Sequence, residues 1–364
     1  MIGDGNWTGS FSLRKRICLS ERGEGNGCKQ EDHRPGDILT RRTGHRGCVQ
    51  SCRDAGSDGD TDEAGGSGNA AGGESRLWHY GAADRVVFAR LITVMPNTAK
   101  FGFMPAYVGD YFGAKVISAF APNMGTKYPS HIGYVMLFES AHSTVAGMIE
   151  AGSITEIRTG AVSAAATDLL ARKDSHKLAL IGAGAQARSH LAAIREIRDI
   201  TSVTVYDLFP QAAERFAKDM QEKYKIPVVV CSTVKEAVKD ADIICTVTPS
   251  KEPLLTKEMV KPGTHINAVG TFTPTTREVS SDLVAAARLY SDQTEAAKRE
   301  SGEYLIPLKE GLIKEDHIVG SIGEVLLGKA PGRTADDEIT IFDALGLAIE
   351  DVASAKYVYE RAAL

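Results

Sequence analysis

The chain has 364 residues, a formal net charge of −5 and a hydrophobic content of 43%. This length allows two domains, each with its own apolar core. The slight negative charge argues against a nucleic-acid-binding protein, which would present a basic face. The sequence contains no run of 18 apolar residues, and its first 30 residues lack the apolar segment of a signal peptide. We therefore expect a cytoplasmic protein that acts on a small molecule, with no nucleic-acid or membrane partner.

The first 84 residues differ in composition from the rest of the chain. They contain 17 of the 36 glycines, and residues 54–74 are almost wholly Gly, Ser, Asp, Ala and Glu. Such a segment cannot bury enough apolar surface to offset the chain entropy that is lost on folding. We predict that residues 1–84 are disordered; the alternative is that a shifted reading frame or a misplaced start produced this stretch.

The six cysteines fall into two groups. Cys231 and Cys245 lie in apolar, strand-like runs and are predicted to be unreactive core thiols. The other four lie in the first 52 residues, close to two histidines, but their spacing matches no recognised zinc motif. We therefore expect no metal site there. The residues concerned are Cys18, Cys28, His33, His45, Cys48 and Cys52.

Residues 85–172 are predicted to form a small mixed domain. Short apolar runs at 85–94, 114–120 and 133–138 alternate in polarity or are bounded by turn residues, which predicts antiparallel strands. Residues 155–172 are rich in alanine and predict a long helix that packs closely against its neighbours. This helix leads directly into the most informative motif of the chain.

That motif is a glycine turn between a strand and a helix. Gly182 and Gly184 follow the apolar run 178–181, and Ala187 takes the place of the third glycine of a dinucleotide-binding motif. The helix that follows offers backbone N–H groups and a favourable dipole to a pyrophosphate. Asp207 ends the next strand, where it can accept hydrogen bonds from ribose hydroxyls, and no arginine follows it. The pattern favours NAD(H) as the cofactor, with NADP(H) as the alternative.

Strands and helices alternate beyond this turn, which predicts an α/β fold with a Rossmann-type, doubly wound parallel sheet. The predicted strands are 178–182, 202–207, 226–231, 242–247, 264–269 and 288–292. A last helix, running toward Arg361, carries an apolar face and is expected to pack against the first domain. We predict a dinucleotide-binding domain at 173–334, and a mixed α+β substrate and dimerisation domain formed by 85–172 and 335–364.

Several segments, in order, resemble the ornithine cyclodeaminase/mu-crystallin family over residues 88–362. They are Phe103-Met-Pro-Ala, Ala114-Lys-Val-Ile-Ser, Ile157-Arg-Thr-Gly-Ala, the glycine turn, His265-Ile-Asn-Ala-Val-Gly and Phe342-Asp-Ala-Leu-Gly-Leu-Ala-Ile-Glu-Asp. The resemblance implies that Arg90, Lys115 and Arg158 contact an amino or imino acid and the adjoining cofactor. It also implies a homodimer that pairs through the first domain.

The resemblance implies further site residues. Lys115 and Arg158 would be catalytic, and Phe272 and Leu345 would join Arg90, Lys115 and Arg158 in binding the substrate. The positions that would bind the dinucleotide are Ser130, Arg158, Gly182, Gly184, Ala185, Gln186, Asp207, Thr248, Asn267, Ala268, Val269 and Gly270. An arginine can hold a planar carboxylate through two parallel hydrogen bonds, and a desolvated lysine can transfer a proton.

One departure from the family pattern bears on the reaction. Ornithine cyclodeaminases carry an acid/base aspartate and a lysine in the loop where this chain has Phe272 and Thr276. A phenyl ring cannot transfer protons, but it can cover a compact apolar substrate. We therefore predict NAD(P)H-dependent reduction of a cyclic α-imino acid, Δ1-pyrroline-2-carboxylate or its six-membered analogue, to proline or pipecolate.

Three alternatives remain open from the sequence. The chain could be an ornithine cyclodeaminase despite the missing carboxylate, or an alanine-type amino-acid dehydrogenase. It could also be a non-catalytic, dinucleotide-dependent binder of a small ligand, as the mu-crystallin resemblance allows. The retention of all three cations argues against the last alternative, because a binder does not need a proton-transferring lysine.

Overall fold

The computed structural model describes residues 85–88, 90–123 and 126–362, which form two β-sheets and the helices that pack on them. The predicted disorder of residues 1–84 and the predicted absence of a metal site at the N-terminal cysteines lie outside the described residues. Within the described part of the chain, every helix is too short or too polar to cross a bilayer. The fold is α/β, as the sequence predicts.

The first sheet is antiparallel and has six strands. They are β1 Arg85–Val87, β2 Leu91–Val94, β3 Lys100–Val108, β4 Tyr111–Ala119, β5 His131–Glu139 and β6 Val145–Glu150. The strand order is β1-β3-β4-β5-β6, and β2 also pairs with β3. The antiparallel pairing is confirmed, but the run predicted at 85–94 forms two strands, and β3 and β6 are strands that the sequence does not predict.

The two faces of this sheet differ in exposure. One face is apolar and buried, and it includes Met104, Val135 and Ile149. The cross-strand register places a second set of apolar side chains on the opposite face, where they are exposed. This set comprises Leu91, Phe101, Phe103, Ile132, Tyr134 and Met148. Exposed apolar patches of this kind are typical of protein–protein interfaces.

Helix α1, Ala151–Leu170, connects the two sheets. It begins four residues before the predicted start because the Glu150 carboxylate accepts hydrogen bonds from the N–H groups of Gly152 (2.7 Å) and Ser153 (2.8 Å). The predicted small residues Ala161, Ala164, Ala165 and Ala166 are fully buried, which lets neighbouring elements approach the helix closely.

The second sheet is parallel and has the doubly wound order that the sequence predicts. Its strands are β7 Lys177–Ile181, β8 Ser202–Tyr206, β9 Val228–Val230, β10 Ile243–Thr246, β11 His265–Ala268, β12 Arg288–Ser291, β13 Ile318–Ser321 and β14 Thr340–Asp343. The order is β13-β12-β14-β11-β10-β7-β8-β9, so the chain reverses direction across the sheet between β7 and β10. Ligands of such sheets bind at the carboxyl ends of the strands, next to this switch point.

The remaining helices cover the parallel sheet, except for the last one. They are α2 Ala185–Ile194, α3 Pro210–Tyr224, α4 Val234–Val238, α5 Ser281–Ala286, α6 Thr294–Glu300, α7 Gly302–Lys309, α8 Ile322–Leu326 and α9 Ala348–Ala362. Cys231 and Cys245 are buried in the two cores of this sheet, as predicted, and burial raises the pKa of Cys245 to about 12.

The C-terminal segment belongs to both halves of the molecule. The strand Thr340–Asp343 lies inside the parallel sheet, between β11 and β12, although the predicted domain division grouped residues 335–364 with the first domain. Helix α9 does return to the first sheet, where Val352 and Ala355 are fully buried against Val135 and Leu137. The chain therefore leaves the parallel sheet after β14, and residues 344–347 connect that sheet to α9.

Candidate functional site

The glycine turn has the geometry of a dinucleotide-binding loop. Gly182 has a φ of +105°, and a Cβ there would lie 2.9 Å from the carbonyl oxygen of Val247, so the fold itself requires glycine. Gly184 is different, because its φ of −80° suits any residue and an added Cβ would meet no atom within 4 Å. Gly184 therefore leaves open space beside the N-terminus of α2, where a pyrophosphate can approach the backbone.

Asp207 lies at the end of β8, next to this turn. Its Oδ2 accepts a hydrogen bond from the N–H of Ala183 (2.8 Å), and its Oδ1 accepts one from the N–H of Phe209 (2.9 Å). The half-buried carboxylate is thereby fixed where the sequence predicts contact with an adenosine ribose. It also holds the glycine turn in place, a structural role that the sequence does not predict.

A single threonine joins the glycine turn to the predicted catalytic lysine. Gln186, at the start of α2, donates from Nε2 to the carbonyl oxygen of Thr155 (3.4 Å). The Thr155 hydroxyl oxygen lies 3.5 Å from the Lys115 ammonium. Ala185 is exposed at the helix N-terminus, next to Gln186. The predicted cofactor-binding turn and Lys115 are therefore neighbours, although they belong to different sheets.

The three predicted cations lie around one short segment of chain. Arg90 donates to the carbonyl oxygen of Leu345 (3.0 Å) and pairs with Glu300 (2.6 Å). The Lys115 ammonium lies 2.7 Å from Asp351 Oδ2, and both side chains are buried. Arg158 pairs with Asp351 Oδ1 (3.1 Å) and also binds a neighbouring carboxylate. Residues 345–351 therefore contact all three cations.

Two acids of this segment were not predicted as site residues. Glu350, whose Oε2 lies 2.8 Å from Arg158 Nη1, and Asp351 are buried at the start of α9. In the sequence they lie between Ile349 and Val352, which form an apolar helix face. This interruption of an apolar face could have identified them. Adjacent acids on the buried face of a helix normally require cationic partners.

The charges and the burial of this cluster shift the pKa values of its ionisable groups. Burial lowers the pKa of Lys115, and the nearby Arg158 charge lowers it further, although the Asp351 carboxylate opposes both effects. Burial also raises the pKa of Glu350 to about 7, against the opposing influence of Arg158. Perturbed pKa values of this kind are typical of active sites.

Phe272 forms an apolar wall beside these cations. Its half-buried ring lies 5.7 Å from the Arg90 guanidinium and 5.4 Å from the Lys100 ammonium, measured to the ring centroid. Thr276 does not replace the missing lysine, because its hydroxyl bonds to Thr273 (2.6 Å). The loop therefore presents an aromatic ring where an acid/base carboxylate would be needed.

Two further basic residues, Lys100 and His131, were not predicted. The register of β3, β4 and β5 places both on the same face as Lys115. The pKa of His131 is lowered, by burial first and then by the charges of Lys115 and Lys100. Ser130, predicted to bind the cofactor, lies against His131 at the edge of this group, with its Oγ 3.1 Å from Nδ1.

The other predicted cofactor positions lie at the ends of β10 and β11. Thr248 and Gly270 are partly exposed there, as is Val269, whereas Ala268 is buried. Asn267 is fully buried, and its amide donates to the Thr167 hydroxyl (3.0 Å) inside the protein. The structure therefore does not bring the Asn267 side chain to the crevice, because alternate residues of a strand point to opposite faces.

Two known proteins are similar to this chain over most of its length. The chain is 37% identical to a Δ1-pyrroline-2-carboxylate reductase from Bacillus cereus over 254 residues, which are 70% of this chain and 78% of that protein. It is also 38% identical to the ketimine reductase mu-crystallin of Mus musculus over 273 residues, 74% of this chain and 83% of the relative.

Solved structures show the same similarity. The Δ1-pyrroline-2-carboxylate reductase of Thermococcus litoralis, in complex with NADH and L-proline, matches with a TM-score of 0.80 and 32% identity, covering 90% of this chain and 96% of that one. An archaeal alanine dehydrogenase dimer with bound NAD matches with a TM-score of 0.76 and 30% identity, covering 88% and 92%. The sequence profile of the ornithine cyclodeaminase/mu-crystallin family matches residues 68–364. The chain belongs to the ornithine cyclodeaminase/mu-crystallin family.

Proposed function

We propose that this protein is an NAD(P)H-dependent reductase of cyclic α-imino acids, which converts Δ1-pyrroline-2-carboxylate or Δ1-piperideine-2-carboxylate to proline or pipecolate. The observation that carries the proposal is the convergence of Arg90, Lys115 and Arg158 around residues 345–351, beside the glycine turn and under the Phe272 ring. The similarity to two reductases of this substrate class supports the same reaction.

Each of these residues has a separate role in the proposed reaction. Arg90 and Arg158 hold the substrate carboxylate through charge-assisted hydrogen bonds. Phe272 covers the apolar ring and excludes water. Lys115 donates a proton to the imine nitrogen, which becomes the amine nitrogen of the product. The reduced nicotinamide, when bound, supplies the hydride for the imine carbon.

The residues of the glycine turn fit NAD(H). The open space at Gly184 and the N-terminus of α2 suit a pyrophosphate, and the Asp207 carboxylate suits ribose hydroxyls. A 2′-phosphate would meet the negative charge of Asp207. Exposed Leu208 and Phe209 follow it and supply no cation for such a phosphate. We therefore propose NADH as the preferred donor, with NADPH as the weaker one.

The direct test is an assay of imines and amino acids with both cofactors. Δ1-pyrroline-2-carboxylate with NADH should give a loss of nicotinamide absorbance and the appearance of proline. Release of ammonia from ornithine without net NADH accumulation would instead identify an ornithine cyclodeaminase. Pyruvate-dependent NADH oxidation in the presence of ammonia would indicate an alanine-type dehydrogenase. Binding of ligand without turnover of any of these substrates would favour the non-catalytic binder.

Gly184→Ala should separate cofactor binding from folding. Alanine fits the backbone at this position and meets no protein atom, so the melting temperature without ligand should stay within about 2 °C of that of the wild type. Its methyl group would occupy the space proposed for the pyrophosphate, so the Kd for NADH should rise at least ~10-fold, which is about 1.4 kcal/mol. Fluorescence titration measures the Kd, and unchanged NADH affinity would contradict the proposed binding mode.

We also propose that the protein is a homodimer that pairs through the exposed apolar face of the first sheet. The archaeal alanine dehydrogenase that it resembles is a dimer. Phe103→Glu would place a charge in the middle of this face, where the wild-type ring is 42% exposed. The variant should elute as a monomer in size-exclusion chromatography with light scattering. Glu258→Gln, exposed on the parallel-sheet half, is the control that should leave the assembly unchanged.

A further inference from the structure

A fully buried carboxylate that the proposed reaction does not use joins two loops of the crevice. Glu278 accepts hydrogen bonds at Oε1 from the backbone N–H and the hydroxyl of Thr248, both at 2.7 Å. Its Oε2 accepts another from the N–H of Gly270, also at 2.7 Å. Thr248 follows β10 and Gly270 follows β11, so one side chain fixes the ends of two neighbouring strands.

The two loops are in close backbone contact. A Cβ at Gly270 would lie 2.0 Å from the Thr248 carbonyl oxygen and 2.7 Å from Glu278 Oε2, so only glycine fits between them. The Thr248 hydroxyl also accepts a hydrogen bond from the N–H of Ser250 (3.2 Å), which extends the network along the first loop. Both loops therefore depend on Glu278 for their relative position.

A second buried acid holds Glu278 in place. Glu303, on α7, accepts a hydrogen bond at Oε1 from the backbone N–H of Glu278 (2.8 Å) and another from the Thr271 hydroxyl (3.1 Å). Both acids are at most 1% exposed. Burying a carboxylate without a cationic partner destabilises the folded state unless hydrogen bonds compensate. Buried carboxylates that are fully hydrogen-bonded therefore often hold one particular arrangement of the chain.

Both buried carboxyl groups have a shifted pKa. Burial raises the pKa of Glu278, but the three donors that converge on its oxygens favour the ionised form. Burial also raises the pKa of Glu303, to about 7, with the Glu278 charge contributing.

We propose that Glu278 is a positioning residue for the dinucleotide: it holds the Thr248 and Gly270 loops in the arrangement that receives the cofactor, and Glu303 keeps Glu278 in place. The inference rests on the proposed function, because it assumes that NADH binds at the carboxyl ends of β7, β10 and β11. Glu278 itself touches protein groups in this arrangement and acts on the cofactor through the two loops.

Glu278→Gln tests the proposal, with NADH itself as the probe. The amide has one accepting oxygen, so its NH2 group would face the N–H of either Thr248 or Gly270 and push one loop away. We expect the Kd for NADH, measured by fluorescence titration, to rise at least ~10-fold. The KM for NADH should rise in parallel, while kcat at saturating NADH stays within about threefold of the wild-type value. The exposed Glu258→Gln is the matched control and should bind NADH like the wild type.

A second variant covers the case in which Glu278→Gln does not fold. Thr271→Val removes one buried hydroxyl that tethers Glu303, and it should raise the Kd for NADH about threefold. If wild-type protein binds neither NADH nor NADPH, the proposed function is wrong. If wild-type protein binds NADH and the folded Glu278→Gln or Thr271→Val protein binds it equally well, the function stands and the positioning role is overturned. A lowered melting temperature with unchanged NADH affinity would likewise reduce Glu278 to a purely structural role.

Discussion

Lys115→Met is expected to lower kcat/KM for imine reduction by about 10³-fold, within the range that a positioned general acid contributes. Methionine has nearly the same length and tolerates burial, so the substitution removes the proton donor without leaving a large cavity. Lys115 is only 2% exposed and lies next to Asp351 and Thr155. Affinity for NADH should change little, because the lysine acts on the substrate nitrogen.

The pH profile gives an independent signature. Burial lowers the pKa of Lys115, and a general acid must be protonated to act. Wild-type activity should therefore fall on the alkaline side as Lys115 loses its proton, at a pH below the ordinary lysine pKa, and the residual activity of Lys115→Met should lack this decline. Lys356→Met on α9, a partly exposed lysine, is the control. A Lys115→Met enzyme that retained more than about a tenth of wild-type turnover would exclude proton donation by this residue.

Features that depend on nearby residues could be predicted from the sequence. The glycine turn, Asp207 and the strands on either side lie within one βαβ unit, so local hydrophobic patterning and backbone requirements determine them. The parallel order followed from the alternation of strands and helices. The three cations came from the family resemblance, since a basic residue on a strand says little by itself about what it faces.

Features that depend on contacts between residues far apart in the sequence could not be predicted. Glu278 and Glu303 appear as ordinary polar positions in the sequence, and only the packing of α7 beneath two loops shows that they are buried together. Thr340–Asp343 has too little local signal to reveal that it enters the middle of the parallel sheet. Asn267 also depends on the fold: the family segment predicts a cofactor contact, and strand alternation directs its side chain into the core.

Asp351→Asn should be among the most destabilising single changes in the described part of the chain. Asp351 is fully buried and is shared by Lys115 and Arg158, whose side chains are 3% and 6% exposed. Removing its charge takes one carboxylate partner from each of two buried cations, and breaking a buried ion pair on one side costs about 3–5 kcal/mol. The free energy of unfolding, measured in urea without ligand, should fall by that amount.

The same substitution should also change the chemistry of the site. The Asp351 charge opposes the effect of burial on Lys115, so its loss should lower the pKa of Lys115 further and move the alkaline limit of activity to lower pH. Glu360→Gln, exposed on the same helix, should change neither stability nor pH profile by more than the error of measurement. If Asp351→Asn unfolded at the wild-type urea concentration, the carboxylate would not be balancing these cations.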